Sequence, residues 1–233
     1  MNNIKVIPLI PSFEPDEKLI KYVNSLIKEG FKKIIIVNDG SSNKYDYIFN
    51  KLSKMNECIV LKHDVNLGKG MALKTGLKYY LDIFSDYNGI VSADSDGQHS
   101  AKDTLNLALE LEKDNSKLIL GVRDFDNEHV PFRSKFGNKL TTNIFKMLYG
   151  VKINDTQTGL RAFGNDLIKE FLNCEGKRFE YEINMLITCV KKKIDIKEIK
   201  IETIYINKNE STHFNAIKDS FKIYKVLFKE KFK

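Results

Sequence analysis

The chain has 233 residues, 42% of them hydrophobic, which is enough for one sizeable globular core and excludes a chain too polar to fold. Its three cysteines, Cys58, Cys174 and Cys189, are odd in number, far apart and without Cys-x-x-Cys spacing, which speaks against a structural metal site and for a reducing compartment. The formal charge of +7 suggests an anionic partner, yet the lysines are scattered along helical stretches without interleaved surface aromatics, so nucleic acid is not the expected one.

The opening "MNNIKVIPLIPSFEP" holds too short an apolar run for a signal peptide, and nowhere do enough apolar residues follow one another to span a bilayer. A soluble or peripheral chain is therefore expected. In chain order, Val/Ile-rich runs at Lys5 to Leu9, Lys33 to Val37, Ile59 to Leu61, Ile90 to Ala93 and Leu118 to Val122 each precede a polar or Gly-containing turn. Between them, Leu19, Val23, Leu26 and Ile27 share one helical face, with Gly30 as a stop, and Leu73, Gly76, Leu77, Tyr80, Leu81 and Phe84 share another. This alternation predicts an α/β fold with a mostly parallel sheet covered on both faces, and in such sheets ligands bind beyond the carboxyl ends of the strands.

That rule gathers four loops on one rim: "NDGSSNKYD", "HDVNLGKG", "DSDGQHS" and "RDFDNEHVPFR". From about Asp124 the alternation gives way to a loop, a helix from about Lys135 to Tyr149, the loop "INDTQTGLRAF" and a helix after "RFEYE". The strand-like "IKEIKIETIYI" then leads to a last helix. On it, Phe214, Ile217, Phe221, Tyr224 and Phe228 fall on one face beside Lys218, Lys222, Lys225 and Lys229, as on a helix that lies on an anionic membrane or packs on the body. There is no internal repeat and no low-complexity linker.

Asp94 and Asp96 stand one residue apart at a strand end, where two carboxylates need a cation, a substrate or water to satisfy them. "GKGMAL" is not a dinucleotide fingerprint, because Leu73 stands at the third glycine, and a calcium loop from Asp94 fails at His99 and Leu105. Two chemistries remain. Asp94 could be a phosphatase nucleophile with Asp96 as its acid/base partner, or the pair could hold Mg²⁺ or Mn²⁺ against the diphosphate of a nucleotide-sugar. The first leaves the other loops idle; the second uses them.

"IPSFEP", "IIIVNDGSS", "NLGKGMALKTG", "DSDGQH" and "DTQTGLRAF" together resemble the family 2 glycosyltransferases, nearest to the dolichyl-phosphate mannose synthase-like, polyprenyl-phosphate branch. The resemblance covers nearly the whole chain. It implies a GT-A catalytic domain over residues 1–213, with a nucleotide-sugar half at 1–123 and an acceptor half at 124–213, followed by an amphipathic helix at 214–233. It further implies that Pro11, Phe13, Glu14, Asp39, Gly68, Lys69, Gly70, Asp94 and Ser95 face the donor, with Asp39 at the nucleotide base. Asp94, Asp96 and Gln98 would surround Mg²⁺ or Mn²⁺. Glu14-Pro15 stands where the family carries Asn-Glu, which leaves UDP and GDP both open.

The reaction so implied is an inverting transfer of a hexose to a polyprenyl phosphate at the cytosolic face of a membrane, with Asp96, Asp155, Arg123 and Arg133 as catalytic residues. Arg123 and Arg133 would hold the acceptor phosphate, and Asp155 would orient the acceptor or accept a proton, unless Arg161 pairs with it structurally. Lys208, Ser211 and His213 would close over the diphosphate. Glu180 and Glu182 are read as helix-start carboxylates, His99 as a turn residue, Tyr79 and Tyr80 as packing residues, and His63 and His129 as structural, having no partner the sequence names. The partners implied are a nucleotide-sugar, a polyprenyl phosphate, the membrane surface and a membrane-embedded flippase-like protein. The alternatives are a glycosyltransferase acting on a wall or surface polymer, the phosphatase, and a binding module without turnover.

Overall fold

The computed structural model describes residues 4–124, 132–202 and 218–232, with the side chains of residues 132–134, 136, 218 and 219 left aside. The five expected strands are β1 (Val6–Ser12), β2 (Ile34–Asn38), β3 (Cys58–Lys62), β4 (Gly89–Ser92) and β5 (Leu118–Arg123). Among the described residues two more follow, β6 (Arg161–Gly164) and, within the strand-like "IKEIKIETIYI", β7 (Ile196–Ile201), and these seven form one sheet in the order β3-β2-β1-β4-β6-β5-β7. All neighbours run parallel except at β6, which is antiparallel to both β4 and β5.

Residue alternation along the strands supplies two cores. In β1, Ile7 and Leu9 point to one face and Val6 and Ile10 to the other; in β2, Ile35 and Val37 oppose Ile34 and Ile36. One face is covered by α1 (Lys18–Lys28), α2 (Asp46–Ser53) and α4 (Ala101–Lys113). The other is covered by α3 (Lys69–Ile83), α5 (Phe132–Tyr149), α6 (Asn165–Leu172), α7 (Glu180–Lys191) and α8 (Lys218–Lys231).

Within "INDTQTGLRAF", expected as loop throughout, the last three residues open β6, and α6 follows at once. The four-residue strand is too short to show a period, and its first side chain is an arginine. That Arg161 is fully buried, and its guanidinium donates to the carbonyls of Thr158, Thr156 and Glu182, which is how a charge enters the middle of a sheet.

On α8 the expected face divides. Ile223 and Leu227 are buried and Tyr224 packs on the core, while Phe221 and Phe228 are exposed. The Tyr149 hydroxyl donates to the Leu227 carbonyl at 2.9 Å, fixing α8 beside α5. Phe214 and Ile217 lie outside the described residues, as do His129, Lys208, Ser211 and His213. No helix among the described residues is long and apolar enough to cross a membrane.

Candidate active site

Asp39 follows the last residue of β2 and is nearly buried, its side chain 3% exposed. Its Oδ1 accepts from the Leu67 amide at 2.9 Å and its Oδ2 from the Gly68 amide at 2.8 Å. The carboxylate therefore staples the loop after β2 to the one after β3. Gly40 permits this contact, with φ +70° and no room for a Cβ against the Val65 backbone. His63 also meets Asp39, through Nδ1 and Oδ1 at 2.8 Å, while its Nε2 meets the Thr75 hydroxyl at 2.9 Å. His63 thus has two partners that the sequence did not name. Their contact joins the end of β3 to α3 by side chains 12 and 24 residues away, a pairing no local pattern reports.

Pro11 lies in β1 opposite Val37, Phe13 follows that strand, and Glu14 stands at φ +48° with its amide donating to the Ser41 hydroxyl at 2.8 Å. The backbone of "IPSFEP" is thereby held against the loop after β2. Gly68 and Gly70 have a packing reason beside any ligand role: a Cβ on Gly70 would meet Tyr181 Cβ at 2.6 Å, and one on Gly68 would meet the Lys177 carbonyl. They bring the start of α3 against the segment before α7.

That approach puts Lys69 between two carboxylates, with Nζ 2.6 Å from Asp94 Oδ1 and 2.8 Å from Glu182 Oε2. Glu182, read from sequence as a helix-start carboxylate, is mostly buried inside this cluster, whereas Glu180 accepts from the amides of Lys177 and Arg178 as a helix-start residue does. On the other side of Asp94, His99 Nε2 lies 3.4 Å from Oδ2. Burial would raise the Asp94 pKa, but Lys69 and then His99 outweigh it and hold the carboxyl well below the usual range.

Asp96 is in the opposite condition: burial first, and the charge of Asp94 second, push its pKa up. One of its oxygens accepts from the Gln98 amide at 3.0 Å, across a turn in which Gly97 takes φ +82°. Ser95 lies between the two aspartates, and Ser100 caps α4 by accepting from the Asp103 amide, which anchors the far end of the loop. Two carboxylates one residue apart, the charge of the first raising the cost of ionising the second, with Gln98 two residues further along the same turn, supply the hard-oxygen donors that Mg²⁺ or Mn²⁺ takes. Among the described residues no three His, Cys, Asp or Glu side chains gather into a cage, so substrate oxygens or water would complete the coordination. The site fits such a metal. Gly159 approaches so closely that a Cβ there would overlap the Asp94 carboxylate.

At the end of β5, Arg123 grips Asp155 with both arms of its fork, Nε to Oδ2 at 2.7 Å and Nη2 to Oδ1 at 3.1 Å. Asp155 is fully buried and also accepts from the Gln157 amide at 3.1 Å. The arginine that pairs with Asp155 is therefore Arg123, and Arg161, offered for that pairing by the sequence, spends its hydrogen bonds on backbone carbonyls. Arg133 belongs to the first turn of α5, and its side chain lies outside the described residues.

A sequence profile described as Glycosyl transferase family 2 matches residues 9–172. Among curated relatives, the UDP-N-acetylglucosamine–dolichyl-phosphate N-acetylglucosaminyltransferase of Methanococcus voltae is 30% identical over 235 residues, covering 93% of this chain and 92% of that protein. The dolichyl-phosphate beta-glucosyltransferase of Saccharomyces cerevisiae is 27% identical over 223 residues, covering 83% of this chain and 65% of that longer protein. Among solved structures, glucosyl-3-phosphoglycerate synthase from Mycobacterium tuberculosis, crystallised with Mn²⁺, UDP and glucosyl-3-phosphoglycerate, superposes with a TM-score of 0.70 at 12% identity, covering 97% of this chain and 79% of that one. At that identity the likeness is one of fold, and the fold is of the GT-A type.

Proposed function

The chain belongs to glycosyl transferase family 2, and from that premise we propose that it moves a hexose from a UDP- or GDP-linked donor to a polyprenyl phosphate, with inversion at the anomeric carbon and with Mg²⁺ or Mn²⁺ bound. The observation that carries the reading is the meeting, on one carboxyl edge of the sheet, of Asp39, the Gly68–Gly70 turn, the Asp94/Asp96 pair and the Arg123–Asp155 pair. Two of the relatives are named for dolichyl-phosphate acceptors. The organisation proposed is a donor half at 1–123, an acceptor half at 124–213 and a membrane-facing helix at 214–233.

On the donor side, Asp39 already accepts two hydrogen bonds on Oδ1 and one on Oδ2. What remains on Oδ2 suits a base with a ring N–H on its pairing edge, as uracil and guanine have and cytosine and adenine lack. Pro11, Phe13 and Glu14 border the same pocket, and Gly68, Lys69, Gly70, Asp94 and Ser95 lie toward the sugar-diphosphate. Asp94, Asp96 and Gln98 would hold the metal, which when bound offsets the charge growing on the departing nucleoside diphosphate.

On the acceptor side, a phosphate monoester oxygen attacks the anomeric carbon as the bond to the diphosphate breaks. The nucleophile is already an anion, so no strong general base is required. Arg123 and Arg133 hold it beside an anionic donor. Buried and doubly bonded to Arg123, Asp155 acts by setting that guanidinium rather than by taking a proton. The exposed Phe221 and Phe228 of α8, with Lys222 and Lys225 nearby, lie on the membrane that carries the lipid, on its cytosolic face, beside a membrane-embedded flippase-like partner. A panel of nucleotide-sugars scored for thermal stabilisation tests the donor: a UDP- or GDP-sugar should raise Tm in Mg²⁺ or Mn²⁺ and not in chelator, because a ligand that binds only the folded state stabilises it. Stabilisation by no sugar nucleotide would refute the reading.

A further inference from the structure

His63 is not a bystander of the candidate donor pocket. Its ring is 9% exposed and sits between Asp39 and the Thr75 hydroxyl, at 2.8 and 2.9 Å. Asp39 Oδ1 accepts through that contact, so Nδ1 carries a proton. Nε2 is then the acceptor for the Thr75 hydroxyl when the ring is neutral. The chain Thr75–His63–Asp39 runs from α3, through the loop after β3, to the end of β2. It fixes the plane of the Asp39 carboxylate with one side-chain donor, in addition to the two backbone donors of Leu67 and Gly68. Those two amides meet Oδ1 and Oδ2 separately. Among the contacts of the described residues His63 supplies the side-chain one, which resists rotation of the carboxylate while Oδ2 keeps acceptor capacity beyond the Gly68 amide.

We propose that His63, buttressed by Thr75, is a positioning residue for base recognition: it sets the Asp39 carboxylate that reads the ring N–H of the donor's base, and has no part in holding the diphosphate. The proposal rests on the donor reading above and names the device behind its base specificity. A contact made equally in the ground and transition states lowers KM and leaves kcat alone. Loss of His63 should therefore raise KM for the nucleotide-sugar without lowering kcat.

The test is calorimetric binding of UDP, GDP and pyrophosphate, with Mn²⁺ present, to the parent and to His63→Leu, His63→Asn, His63→Gln and Thr75→Val. His63→Leu should weaken the nucleoside diphosphate that the parent prefers about tenfold, the scale of one hydrogen bond to a charged group, and leave pyrophosphate within about twofold. His63→Asn, whose amide nitrogen falls where Nδ1 was, should recover most of the loss. His63→Gln, which places its amide where Nε2 was, should not. Thr75→Val should give a smaller loss of the same kind, and it carries the test if the His63 variants do not fold. An equal loss of pyrophosphate and nucleotide would overturn the proposal, since that is a loop collapsing, and so would unchanged nucleotide binding. Failure of the parent to bind either UDP or GDP would instead refute the donor reading.

Discussion

Lys69 Nζ stands 2.6 Å from Asp94 Oδ1 and neutralises the first aspartate of the pair from the first residue of α3, which begins after the β3 loop. With Glu182 at 2.8 Å on its other side, one ammonium holds together the starts of α3 and α7 and the end of β4. Replacing Lys69 by Met keeps the volume and leaves two carboxylates facing each other, at a cost of about 3 kcal/mol in stability at pH 7. The pH dependence has a definite sign. Asp94 has its folded pKa depressed well below the ordinary aspartate value, so its contribution is fully present above about pH 4, begins to decline below that, and is lost only as pH falls through the much lower folded pKa. Urea unfolding from pH 3 to pH 7 should show Lys69→Met losing most at pH 7 and less, though still measurably, at pH 3, where Asp94 of the parent remains ionised.

Asp96→Asn should separate stability from activity. Asp96 has its folded pKa raised, by burial and by Asp94, so its charged form disfavours folding at neutral pH and that penalty fades as pH falls through the folded pKa. An amide removes the penalty and also a metal-binding carboxylate. The variant should melt no lower than the parent at pH 7, with transfer reduced at least about a hundredfold. Full transfer by the variant, or by the parent in chelator, would contradict a metal at this pair.

The two faces of α8 should behave differently. Leu227 is fully buried, so Leu227→Ala should cost about 3 kcal/mol. Phe221 and Phe228 are 69% and 44% exposed, and a Phe221→Ser, Phe228→Ser double variant should keep the parent's Tm. Its cosedimentation with vesicles of anionic lipid should fall severalfold. Unchanged cosedimentation would leave α8 as a packing helix alone.

Much of this architecture was legible because the sequence repeats one local pattern. Runs such as "IIIVN" and "GIVS" are bounded by turns and separated by helical periods, and the carboxyl-edge rule then places Asp39, Lys69, Asp94 and Arg123 on one rim before any coordinate is known. What escaped was set by distant contacts. β6 is four residues long and buries an arginine, so neither length nor hydrophobicity announces it. His63 reads as an isolated ring until β3 and α3 bring it to Asp39 and Thr75. Whether Arg123 or Arg161 takes Asp155 depends on which guanidinium finds backbone carbonyls instead, and that is decided by the fold and not by spacing. Glu182 could be told from Glu180 only by the approach of α3 that Gly70 permits.

The most direct test of the account is the identity of the product. Purified protein, Mn²⁺ and radiolabelled UDP- or GDP-sugars are incubated with undecaprenyl or dolichyl phosphate, and the label is partitioned between organic solvent and water. The account predicts an organic-soluble, lipid-linked monosaccharide carrying a single phosphate, and an Arg133→Ala variant whose KM rises for the lipid much more than for the donor. Label found only on a water-soluble acceptor, with Arg133→Ala affecting the donor alone, would contradict it.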